Sequence, residues 1–150
     1  MKKILYLLIS FLPFFVMNAQ QSEEVVLHQM INKYVTSINE CDTLLGRSIW
    51  AHSEEVSFIA PSGRMERWEE IKDNFMLGAM GNFSQRNLKS LTEIINIYGD
   101  VAWIEFFWEF DAVRKDGSPH NAKGRETQIL RKIDGEWKFV HIHYSGVSNR

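Results

Sequence analysis

The chain is almost without cysteine, holding one, Cys41, in 150 residues. No intrachain disulfide is possible, so stability has to come from packing. It also lacks an excess of basic charge. Lys and Arg number 17 against 19 Asp and Glu, a formal charge of −2. No basic stripe runs along any segment, which argues against a nucleic-acid partner. Internal repeats, low-complexity tracts and linkers are absent after residue 20, and 150 residues suit one domain with a proper core. The apolar run from Ile4 to Met17 is too short to span a bilayer.

That run follows Lys2 and Lys3 and precedes Asn18 and Ala19, the layout of a secretory signal peptide cleaved after Ala19. A lipoprotein would need a cysteine at the cleavage point, and none is there. Residues 1–19 are therefore expected to be removed on export to the periplasm or beyond, leaving a domain over 20–150 with no membrane anchor. Without Lys2 and Lys3 the mature chain has 15 basic and 19 acidic residues, a formal charge of −4.

What the chain has in quantity is aromatic residues, with 10 Phe and 5 Trp to build a core. Leu27, Met30, Ile31, Tyr34, Val35 and Ile38 form the stripe of an amphipathic helix, with Ser22 as its cap and Glu23 and Glu24 at its positive end. A shorter helix is predicted from Asp42 to Trp50, and EEVSFIAPSG reads as a short strand entering a turn. Met65, Trp68, Ile71 and Phe75 repeat the helical spacing. Beyond Gly81 the residues become β-branched and aromatic, broken at Gly99-Asp100 and Asp134-Gly135, the pattern of four long strands in two hairpins. Helices segregated from an antiparallel sheet define an α+β domain of two layers.

Strand faces follow from alternation. With Ile133-Asp134-Gly135 as a three-residue loop, Lys132 pairs with Glu136 and Gln128 with Val140. Gln128, Leu130, Val140, Ile142 and Tyr144 then share one face. Thr127, Ile129, Arg131, Trp137, Phe139, His141 and His143 share the other. The strand VAWIEFFWEFDAV divides into Trp103, Glu105, Phe107 and Glu109 against Ile104, Phe106, Trp108 and Phe110. Neither set is simply polar, so both faces are expected to be covered, one by helices and one by a second subunit. Alternation leaves open which is which.

The run from GDVAWIEFFWEFDA through GRETQILRKIDGEWKFVHIHYSGV resembles the closing strands of the nuclear transport factor 2-like superfamily. It is most similar to SnoaL-like domains and to the association (hub) domain of calcium/calmodulin-dependent protein kinase II. Glu126-Thr127, Asp134-Gly135-Glu136-Trp137 and His141 to Gly146 match the family pattern. The resemblance covers roughly residues 22 to 147. It implies a cone, a curved sheet wrapped on a long helix with a pocket between them and an outer face that packs on a second subunit. The pocket arginines of the hub fall on Glu105, Gln128 and Tyr144, and its histidine near Ile71, so its anion-binding set is missing. Carried over, the resemblance puts Trp103, Glu105, Phe107, Gln128 and Tyr144 in the pocket, with Trp68, Ile71 and Phe75 on the helical wall. Phe106, Trp108, Trp137, Phe139, His141 and His143 then form the dimer face.

Glu105 with Tyr144 is the sharpest chemical candidate. A carboxyl in an aromatic pocket gains a raised pKa, which suits a general base or acid, and a tyrosine hydroxyl can bond a developing oxyanion. Other readings have Glu105 paired with a basic residue at the rim, or both groups merely orienting an apolar ligand. His141 and His143 point the same way but lack the further ligands zinc requires, so no metal and no cofactor are expected. Interface packing is the better reading for them. SPHNAK, containing His120, reads as a solvated loop at the edge of the pocket mouth. Cys41 reads as structural. The leading expectation is an exported homodimer that binds a small apolar molecule. The alternatives are an isomerase or hydratase-like enzyme with Glu105 as base and Tyr144 as donor, and an oligomerisation module with a vestigial pocket.

Overall fold

The computed structural model describes residues 12–146, with side chains from Glu23 onward. Most of the leader expected over 1–19 lies outside the described residues. Helix α1 (Leu12–Glu40) runs through Ser22, so that residue is not its cap. Its apolar stripe is buried: Leu27, Met30, Ile31, Tyr34 and Ile38 all face the core. Among the described residues no helix is long and apolar enough to cross a membrane.

Cys41 turns the chain with a positive φ of 53°. Asp42 then caps α2 (Thr43–Ile49), accepting from the amides of Leu44 and Leu45 at 2.9 Å. A short hairpin follows, β1 (Ser57–Ala60) and β2 (Gly63–Glu66). The second of these strands differs from the sequence expectation, in which these four residues belong to a turn and the start of a helix. Helix α3 (Arg67–Glu70) widens directly into a π-helical stretch, Ile71–Ala79, and a 3-10 turn, Met80–Asn82. Trp68 and Ile71 are buried in the core. Four long strands follow: β3 (Phe83–Tyr98), β4 (Val101–Arg114), β5 (Pro119–Ile133) and β6 (Glu136–Gly146).

The strands form one sheet in the order β2-β1-β6-β5-β4-β3. The sheet is mixed rather than wholly antiparallel, because β1 runs parallel to β6, with Phe58 opposite Ile142. It is curved and unclosed, and α1 lies in its concavity. Register shifts at Ser90/Thr92 on β3 and at Ile129/Leu130 between β5 and β6 mark the bends. The β5–β6 turn has two residues, Asp134 and Gly135, both at positive φ, so Ile133 pairs with Glu136. The expected three-residue loop is thereby corrected. Val140 then bulges, and the register becomes Gln128 opposite Ile142.

These two features decide the faces. Below the bulge, Trp137 and Phe139 point into the core; above it, Ile142 and Tyr144 do. On β4 the inward set is Ala102, Ile104, Phe106, Trp108, Phe110 and Ala112. Phe106, Trp108, Trp137 and Phe139 are therefore not on the outer face, as expected, but inside. Trp103, Glu105 and Phe107 move the opposite way, onto the outer face beside Arg125 and Thr127. The one-residue offset has a plain cause: Glu105 pairs with Thr127, so its parity partner is not Gln128.

Candidate functional site

Between the inner face of the sheet and the wall made by α1 and the π-helical stretch lies a cavity of about 280 Å³. Its lining is mainly aromatic and aliphatic. Phe58 of β1 packs on Phe75 of the π-helical stretch with ring centroids 4.6 Å apart. Phe83 and Phe110 meet edge to face at 5.3 Å, and Trp108 stacks on Tyr144 at 5.3 Å and 24°. The stack depends on Gly124, which lies beneath it on β5. A Cβ there would come within 2.3 Å of Trp108 Cζ2 and 2.7 Å of Tyr144 Cε2.

One carboxylate enters this apolar surface. Glu126 lies directly opposite Phe106 on β4 and Tyr144 on β6, and only 7% of it is exposed. Tyr34 of α1 donates to its Oε1 at 3.1 Å, and Gln128 Nε2 donates to its Oε2 at 2.8 Å. No ion pair among the described residues includes Glu126. Burial therefore dominates and pushes its pKa up to about 7, against the opposing pull of the hydrogen bonds from Gln128 and Tyr34. The Tyr34 phenol is driven upward as well, by burial and then by the neighbouring Glu126 charge. Gln128 Oε1 and Trp108 Nε1 are buried without a hydrogen-bond partner.

His120 lies at the far end of the cavity. It belongs to β5 rather than to a loop, and its ring packs on Phe83 at 5.3 Å. Arg114 Nη2 donates to its Nδ1 at 2.9 Å, and the Arg114 guanidinium rests on the Phe83 ring at 5.2 Å.

Of the residues expected in the pocket, Phe75 and Tyr144 line the cavity. Gln128 sits behind it, bonded to Glu126, while Trp68 and Ile71 pack in the core away from it. Trp103, Glu105 and Phe107 line a separate depression on the outer face with Arg125, Thr127 and Ser145. The proposed pairing of Glu105 with Tyr144 is thereby excluded: the two side chains lie on opposite faces of the sheet. His141 and His143 point outward, their rings 6.5 Å apart, with His141 Nδ1 2.8 Å from Ser57 Oγ. Burial first, then the positive charges of His143 and Arg64, lower the pKa of His141. Among the described residues no cluster of His, Cys, Asp or Glu is arranged to hold a metal.

In the sequence Glu126 stands out only as part of the Glu126-Thr127 family pattern. A signal for it existed on β4. The even positions from Ala102 to Ala112 are all apolar, while the odd ones carry Glu105, Glu109 and Asp111. Choosing the even set as inward places Phe106 inside, and its partner across the ladder is Glu126.

This architecture, a curved unclosed sheet around a long helix with a cavity between them, is that of the nuclear transport factor 2-like proteins. A family model for the SnoaL-like domain matches residues 27–149, and the chain belongs to that family. A nuclear transport factor 2-like superfamily protein from Salmonella enterica serovar Typhimurium LT2 is 39% identical. That match covers 88% of this chain and 94% of the other, with a TM-score of 0.80. A candidate scytalone dehydratase from Novosphingobium aromaticivorans shares the fold at 15% identity and a TM-score of 0.78, covering 88% and 89% of the two chains. A candidate ketosteroid isomerase from Shewanella frigidimarina does so at 21% and 0.68, covering 78% and 92%. A search of curated proteins found no match.

Proposed function

We propose that the chain binds a small, largely apolar molecule in the inner cavity and that Glu126 exchanges a proton with it. The observation that carries this is a buried carboxyl, free of any cation partner, on the wall of an aromatic cavity with a pKa of about 7. At neutral pH such a group is populated in both forms, so it can remove a proton from one atom and return it to another. Double-bond isomerisation and dehydration both require that. The ring of Tyr144, directly across the ladder from Glu126, would flank the reacting molecule. The candidate dehydratase and isomerase among the neighbours are consistent with this reading but speak for the fold alone.

The test is deuterium incorporation into a panel of enolisable bicyclic ketones such as 2-tetralone, followed by NMR. Exchange above the buffer rate is expected in the native protein and should vanish in Glu126→Gln while ketone affinity persists. Equal exchange in both proteins would end the proposal. A second reading, ligand binding without chemistry, is favoured by one fact: both oxygens of Glu126 already hold hydrogen bonds.

Export and dimerisation belong to the same proposal. Residues 1–19 have the layout of a leader. The outer sheet face exposes 47% of Trp103 and 45% of Ile94, with Val101 beside them, an apolar surface suited to a second copy. It replaces the dimer face expected around Phe106 and Trp108, while His141 and His143 stay on this side.

A further inference from the structure

We infer that the cavity selects a ligand whose apolar body carries a single anionic head group, and that Arg114 and His120 at the far end from Glu126 receive that group. The inference rests on the cavity being a ligand site, as proposed above, and adds what that ligand looks like.

The argument begins with the tautomer. A guanidinium nitrogen can only donate, so the 2.9 Å contact from Arg114 makes His120 Nδ1 the acceptor. The ring proton of the neutral imidazole then sits on Nε2, where it is a second donor. The imidazole is held in place by Phe83 and Phe110, with centroids 5.3 and 6.1 Å away, and both of those rings line the cavity with it. Two hydrogen-bond donors, one of them a permanent cation, thus stand at one end of a mainly apolar chamber, His120 in its lining and Arg114 bonded to His120.

Arg114 makes no close ion pair with a protein carboxylate among the described residues, although, after the hydrogen bonds from Ser118, its charge is one of the lesser influences that lower the Asp116 pKa. None of the arginine ion pairs among the described residues includes it. The acidic residue two positions on, Asp116, turns its Oδ1 to the amide and hydroxyl of Ser118, at 2.9 and 2.6 Å. The Arg114 guanidinium sits over the Phe83 ring, its Cζ 5.2 Å from the centroid, and of its five N–H donors one is directed to His120, which leaves others for a planar anion. A carboxylate is the simplest match to that fork.

The distance between the two ends matters. Glu126 and His120 are six residues apart on β5, roughly 20 Å of extended strand. An anion at His120 therefore stays clear of the buried Glu126 carboxyl, while the apolar body reaches toward it. An anionic head at the Glu126 end would instead face an unpaired carboxyl in an apolar wall.

The experiment compares 2-naphthoate with neutral 2-naphthamide, two probes of the same shape, by calorimetry on the native protein, Arg114→Gln and His120→Phe. His120→Phe keeps the packing on Phe83 and removes the donor. The native protein is expected to prefer the carboxylate by about tenfold at low salt, a preference that 0.5 M NaCl erodes. Arg114→Gln should bring the ratio close to one, by weakening naphthoate far more than naphthamide. His120→Phe should reduce the ratio, and the His120 15N resonances should shift with naphthoate but not with naphthamide. If naphthamide binds and the preference is absent, or survives in Arg114→Gln, the inference is refuted and the cavity stands as a ligand site. If neither probe binds the native protein, both fail together.

Discussion

Replacing Glu126 by glutamine should change how the stability of this protein depends on pH. In the folded chain the Glu126 carboxyl has a pKa of about 7, against an ordinary value of 4.5. The folded state therefore binds its proton more tightly than the unfolded state does. The stability that the protonated group preserves is complete below pH 4.5, declines as pH rises, and is lost once pH passes about 7. A difference of roughly 2.5 units at about 1.4 kcal/mol each amounts to about 3 kcal/mol, to order of magnitude. Glutamine is nearly isosteric, cannot ionise, and can still bond Tyr34 and Gln128 through its amide. Urea titrations of both proteins at intervals from pH 4.5 to 8.5, followed by tryptophan fluorescence, supply the two curves. The quantity to follow is the difference between the proteins, in which the contributions of all other groups cancel. That difference should grow in favour of Glu126→Gln by about 3 kcal/mol between pH 4.5 and 8, then level off. Parallel curves across this range would show that Glu126 is not a buried, raised carboxyl, and the proton-exchange proposal would fall with it.

Three further outcomes are expected. Gly124→Ala puts a methyl group where Trp108 Cζ2 lies 2.3 Å away, so it should destabilise by roughly 1–3 kcal/mol and weaken the near-UV dichroism of the Trp108–Tyr144 stack. Retention of both would mean that the two rings have room to move aside. Trp103→Glu should convert a dimer to a monomer in light scattering at tens of micromolar while leaving ligand affinity intact. A native protein that is already monomeric at that concentration contradicts the dimer. Mass spectrometry of the exported chain should find a first residue of Gln20, and an intact leader on exported protein would contradict cleavage after Ala19.

How far the residues alone led can be seen element by element. The stripe from Leu27 to Ile38 specified a one-sided helix because helical period and burial coincide there. The hairpins were legible from turn chemistry, as Asp134-Gly135 and Gly99-Asp100 sit where the strands reverse. Alternation puts Gln128, Leu130, Val140, Ile142 and Tyr144 on one face, and in the structure four of these share the inner face while Val140 falls in the bulge. Alternation failed for Trp137 and Phe139, because the bulge at Val140 adds a residue to one strand that period-two counting cannot see. Glu105 is a different case: alternation leaves its face open, the resemblance puts it in the pocket, and the structure places it on the outer face with the other odd-numbered residues of β4.

Sequence by itself determined the family, the α+β class, the long helix and the closing strands, since each rests on short-range periodicity or on motifs read in order. Only the tertiary structure decided which carboxylate is buried in the cavity wall. Glu105 and Glu126 are both glutamates in strands among aromatic residues. One faces water and the other is nearly sealed. What separates them is a ladder register between β4 and β5 and a single bulge in β6, long-range properties of hydrogen bonding that no local stretch encodes. Desolvation follows burial, and with it the raised pKa, so the property on which the proposal for Glu126 rests exists only once the sheet has curved around α1.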